Sequence, residues 1–129
     1  MRAGASEAIG ADIDPFAVAA IGLNAKANRC RVSTLRRDVL GDEPPDADLI
    51  LAGDCWYEAG LAERVLPWLR RAGERGIHVF VGDPGRRYLP AGELEEVACY
   101  DVRTTTDLED LALKEGRVYR LRPATSRLT

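Results

Sequence analysis

With 129 residues, 46% of them hydrophobic and 30% charged, the chain has apolar material for one domain, or part of one, and is no disordered tail. Its apolar runs are a handful of residues long, far short of the ~20 that a membrane helix needs. Met1 to Asp14 carries Glu7, Asp12 and Asp14 and no apolar core of a secretory signal, and a net charge of -3 argues against a nucleic-acid surface. The expectation is one globular domain over residues 1–129, cytoplasmic, with neither a membrane nor a nucleic acid as partner.

Ala8 to Ile13 reads as a short strand that ends in acids. Asp14-Pro15 then starts a helix: Asp14 accepts from an otherwise unpaired first-turn N–H, and Pro15 lacks only a donor that the first turn does not use. Phe16, Ala20, Leu23 and Ala27 recur at helical spacing as far as Asn28. Arg31 to Leu35 predicts a second strand, followed by Arg36-Arg37-Asp38 and a turn through Gly41 to Pro45. Asp48 to Asp54 is apolar on both faces, the pattern of a strand covered by helices on either side. Leu61, Val65, Trp68 and Leu69 mark an amphipathic helix, with a kink or restart expected at Pro67. Gly76 ends that segment, and Ile77 to Val81 predicts another fully buried strand, running into Gly82-Asp83-Pro84-Gly85. Beyond it, Glu93 to Val97 is expected as a short helix, Ala98 to Arg103 as a strand, and Arg117 to Leu121 as a last strand.

Cys30, Cys55 and Cys99 form no close pair, and His78 is the only histidine, so neither a disulfide framework nor a zinc pattern is present. His78, within an apolar run, reads as a strand residue.

Alternating strands and helices are the grammar of an open α/β sheet, in which ligands bind outside the carboxyl ends of the strands. Asp12, Asp38, Asp54 and Asp83 stand at those ends. A carboxylate after such a strand can accept two hydrogen bonds from ribose hydroxyls, which suits Asp12. Ile13 beside it can pack on an adenine face, and Asp38, followed by Val39, can accept from the exocyclic amine of the base. These four cofactor-binding candidates fit a dinucleotide as well as S-adenosylmethionine.

The segment after the next strand is Asp54-Cys55-Trp56-Tyr57. On this Asp-x-x-Tyr motif the chain resembles the class I S-adenosylmethionine-dependent methyltransferases of family 16. Within these it is most similar to the electron-transfer-flavoprotein β-subunit lysine methyltransferases and their bacterial relatives. Ala11-Asp12-Ile13-Asp14-Pro15-Phe16 and the residues on to Ile21 resemble the family's ribose-binding strand and following helix. Gly82-Asp83-Pro84-Gly85-Arg86 and Tyr88-Leu89-Pro90 also look like this group. The resemblance implies a Rossmann-like sheet of strand order 3-2-1-4-5-7-6 with helices on both faces. It implies S-adenosylmethionine as cofactor and a protein lysine as methyl acceptor, on an electron-transfer flavoprotein β-subunit or a ribosomal protein, with small-molecule amines also open. The family's first strand and its G-x-G-x-G loop, which cradles the methionine end of the cofactor, have no counterpart here. The chain therefore reads as the C-terminal two thirds of such a domain, lacking the central strand and not expected to be active by itself.

A neutral amine is needed for attack on a sulfonium, and a free lysine of pKa ~10.4 costs about 4.6 kcal/mol to present neutral at pH 7. Asp54 alone opposes that step, because a carboxylate favours the charged amine; its expected role is to orient the acceptor and receive its proton. Trp56 and Tyr57 would desolvate the amine between their rings, with the Tyr57 hydroxyl as a further hydrogen-bond partner. Asp54 and Tyr57 are thus the catalytic candidates and Trp56 the substrate-binding one, unless the two rings merely anchor the following helix. Two other functions fit the acids: a nicotinamide-dependent oxidoreductase fragment, which leaves Asp-x-x-Tyr unexplained, and a non-catalytic binding module derived from a methyltransferase.

Overall fold

The computed structural model describes Met1, residues 3–106 and residues 110–123. They form two compact units, Met1–Asp42 and Glu43–Thr129.

In the first unit, strand β1 (Ile9–Asp12) leads through helix α1 (Pro15–Ala27) to strand β2 (Ser33–Arg36). The strands pair in parallel from Ile9 opposite Ser33 to Asp12 opposite Arg36. The helix starts as its sequence dictates: Asp14 Oδ1 accepts from the Phe16 N–H at 2.8 Å, Pro15 follows, and Asn28 caps the far end. Gly10 is what lets α1 lie on β1, since a Cβ there would stand 2.9 Å from Ile21 Cδ1. None of the α1 side chains is buried.

The second unit contains β3 (Leu49–Gly53), α2 (Ala59–Glu74), β4 (His78–Asp83), a single 3-10 turn at Ala91–Glu93, β5 (Leu94–Thr106) and β6 (Asp110–Leu121). Its sheet has the order β3-β4-β6-β5, with β3 and β4 parallel and β6 antiparallel to both of its neighbours. Within the order 3-2-1-4-5-7-6, the first unit's sheet matches 3-2 and the second unit's matches 4-5-7-6, and no strand among the described residues corresponds to strand 1. Helix α2 lies against β4 and β6. Val65, Trp68, Leu69 and Ala72, spaced to share one helix face, form the core with Trp56, Ile77, Val79, Val81, Leu94 and Tyr119.

Four expectations change. Glu93 to Val97 is not a helix: Leu94 already pairs with Leu121 across the β5–β6 hairpin, and burial of its side chain outweighs a short helical pattern. Helix α2 runs unbroken through Pro67, because Pro67 and Glu63 are both exposed and the carbonyl freed by the missing N–H can be hydrated. Strand β3 is covered on one side only: it is the edge of its sheet, and Leu51 is 74% exposed. Strand β4 alternates, with Val79, Val81 and Asp83 buried and His78 and Gly82 exposed.

Candidate active site

Parallel pairing of β3 with β4 ends at Gly53 opposite Gly82, so the next residues, Asp54 and Asp83, leave the same sheet edge side by side. Asp54 takes a left-handed backbone (φ 56°), a conformation that aspartate tolerates better than most residues. The chain turns there, and Trp56 and Tyr57 go separate ways. Trp56 is 1% exposed and packs in the core, whereas Tyr57 is 55% exposed. The two rings therefore do not flank one acceptor. Trp56, the substrate-binding candidate, offers almost no surface to a substrate in this structure, and Tyr57 does.

Asp83 is the only charged side chain buried among the described residues, at 3% exposure. Its Oδ1 accepts from the N–H groups of Gly85 and Arg86, both at 2.7 Å. These bonds fold the loop back over the strand end, with Gly85 in the positive-φ conformation (94°) that the turn requires. The loop delivers Arg86 to the site. Its Nη2 lies 2.5 Å from Asp54 Oδ1, and its guanidinium carbon is 5.9 Å from the centroid of the Tyr57 ring. Asp54 and Tyr57 are thus brought together around one cation. Carboxylate and aromatic ring are complementary to a positive group, the first by charge and the second through its quadrupole.

The first unit carries the other candidates at its own strand ends. Asp12 closes β1, half-buried, and its Oδ1 accepts from the Asp14 N–H at 2.8 Å. Ile13 follows it with most of its surface exposed. Beyond β2, Asp38 Oδ1 accepts from the Leu40 N–H at 2.9 Å, and the Val39 carbonyl accepts from Asp42 N–H at 3.1 Å, closing a turn.

No family model matches the chain. Over 126 residues it is 32% identical to the electron transfer flavoprotein beta subunit lysine methyltransferase of Xenopus laevis, a match covering 93% of this chain and 51% of that protein. The chain thus spans about half the length of this relative. Among solved structures it superposes on the 23S rRNA methyltransferase ErmE (TM-score 0.58, 16% identity, 94% of this chain and 54% of that one). It also superposes on the magnesium protoporphyrin IX methyltransferase of Synechocystis PCC 6803, solved with bound SAH (TM-score 0.53, 12% identity, 94% and 66%). Identities that low establish the fold alone.

The chain is a relative of the electron transfer flavoprotein beta subunit lysine methyltransferases, with a class I methyltransferase fold. In that fold the strand-end acids are the positions at which ligands gather, and Asp54 and Tyr57 occupy one such end. Sequence reasoning placed Asp83 among the strand-end acids without giving it a role, and it missed Arg86. Both stand in Gly82-Asp83-Pro84-Gly85-Arg86, so the available signal was a cation three residues beyond a strand-end acid.

Proposed function

We propose that this chain belongs to an S-adenosylmethionine-dependent N-methyltransferase acting on a lysine side chain of a protein, with an electron-transfer flavoprotein β-subunit as the first acceptor to test and a ribosomal protein as the second. The observation that carries the reading is the Asp54–Tyr57 pair with a cation held in it, since a lysine ammonium would satisfy the same two partners. Asp54 orients the acceptor nitrogen and takes up its proton. Tyr57 supplies a ring face that holds the incoming ammonium beside Asp54, and a hydroxyl as a further hydrogen-bond partner.

S-adenosylmethionine would supply the methyl group as an activated sulfonium. The donor set at the ends of β1 and β2 fits its adenosine portion: a carboxylate at Asp12 for the ribose hydroxyls, an exposed apolar side chain at Ile13 for the base, and Asp38 with Val39 for its amino edge. Kinship with lysine methyltransferases supports both the cofactor and the acceptor.

The test is transfer of labelled methyl from S-adenosylmethionine to purified electron-transfer flavoprotein β-subunit, with the modified residue located by mass spectrometry. The reading predicts label on lysine nitrogen that disappears with Asp54→Asn. Label on oxygen, on a nucleic acid or on a small molecule alone would overturn the protein-lysine assignment.

A further inference from the structure

The loop after β4 places an arginine of the chain itself where an acceptor cation would bind, and it does so with a second carboxylate in reserve. Arg86 is tethered at its root, because its own N–H is bonded to Asp83 Oδ1. From that root the guanidinium reaches outward to Asp54, whose side chain is mostly exposed. Behind it lies the other oxygen of Asp83, which is buried, accepts no hydrogen bond and stands 4.0 Å from Arg86 Nε. A buried carboxylate oxygen without a donor is costly, so the interior draws the same guanidinium that the surface pair now holds.

We propose that Arg86 is a specificity-determining latch that exchanges between Asp54 and Asp83. In the observed arrangement it fills the Asp54–Tyr57 slot. An incoming primary ammonium takes that slot, and the guanidinium turns inward to donate to Asp83 Oδ2. The exchange keeps Asp54 paired before and after, and gives Asp83 Oδ2 the donor that it lacks in the observed arrangement. It also excludes weakly held ligands, because only a cation that satisfies carboxylate and ring together displaces Arg86. Neutral amides and anions gain nothing from Asp54 and leave the latch closed. The inference rests on the proposed acceptor site, but it concerns cation binding and needs no methyl transfer.

Isotope-labelled chain is titrated with Nα-acetyl-lysinamide, while the Arg86 Nε–Hε resonance and the Tyr57 ring resonances are followed by NMR. The uncharged isostere Nα-acetyl-norleucinamide serves as control. The lysine probe is expected to shift both sets of signals together, and the norleucine probe neither. Arg86→Met, which keeps an unbranched, flexible side chain and removes the guanidinium, is expected to bind the lysine probe about three- to tenfold more tightly, from loss of an exposed ion pair and a cation–π contact as competitors. If that variant fails to fold, the titration of the unsubstituted chain still decides. An Arg86 resonance unmoved while Tyr57 responds overturns the latch, as does Arg86→Met binding no more tightly or more weakly. Exchange without methyl transfer to any protein lysine would sink the methyltransferase reading and leave the latch; methyl transfer without exchange would do the reverse.

Discussion

The two units of the chain solve the problem of stability differently. In Glu43–Thr129, α2 and a four-stranded sheet enclose Trp56, Leu69 and Val81 almost completely. In Met1–Asp42, α1 is apolar nearly all round, yet it buries no side chain, and Phe16 is 83% exposed. A helix apolar on every side belongs in an interior. The composition of α1 is therefore matched to more cover than the described residues supply, whereas α2 has an apolar face and a polar face suited to what it has. Two strands and one helix make a marginal unit; four strands and a helix make a core.

The largest expected effect tests this contrast directly. Leu69→Ala should cost about 2–5 kcal/mol of unfolding free energy in urea titrations, while Phe16→Ala should stay within about 0.5 kcal/mol. Equal costs would show that α1 is covered in solution as well as α2.

Function should divide along the same line. In an active form of the protein, Asp54→Asn in the second unit should lower kcat about a hundredfold or more, in the range of a lost proton acceptor, with little change in cofactor affinity. Asp12→Ala in the first unit should do the opposite. Losing charge-assisted ribose bonds weakens cofactor binding about ten- to a hundredfold, readable by isothermal titration with kcat measured at saturation. If both substitutions act on cofactor affinity alone, the division fails.

The smallest effect lies at the β5–β6 pairing. The hydrogen bond from Arg120 at 2.8 Å, and then its charge, hold the Glu95 carboxyl below its ordinary value. A carboxyl whose pKa is lower folded than unfolded adds stability at higher pH and loses it as the pH falls below 4.5 toward the folded value. Both groups are exposed, so the slope is shallow. Glu95→Gln should flatten that part of the stability–pH curve and leave neutral-pH stability nearly unchanged.

What the sequence disclosed was what short-range chemistry decides. Asp14-Pro15 announced the start of α1, the apolar runs announced β1, β3 and β4, and the acids at their ends were visible before any coordinates. Coverage was not legible, because Leu51 and Val81 look alike in the chain and differ only in what lies over them. Strand β5 was misread at its start because Leu94 belongs to a hairpin partner, Leu121, that no local pattern names. Asp54 and Tyr57 could be picked out from their motif. Arg86 could not, since its place beside Asp54 depends on β3 lying parallel to β4 and on two backbone bonds to Asp83.

The left-handed backbone at Asp54 makes codon 54 a natural divider of selections. Most side chains at that φ are penalised by about 1–2 kcal/mol, glycine not at all and asparagine little. A saturation library sorted for soluble, protease-resistant protein should accordingly enrich glycine and asparagine there, while a library sorted for methyl transfer should return aspartate. Alanine loses in both and for unrelated reasons, which makes asparagine the cleaner substitution for asking what the carboxylate does.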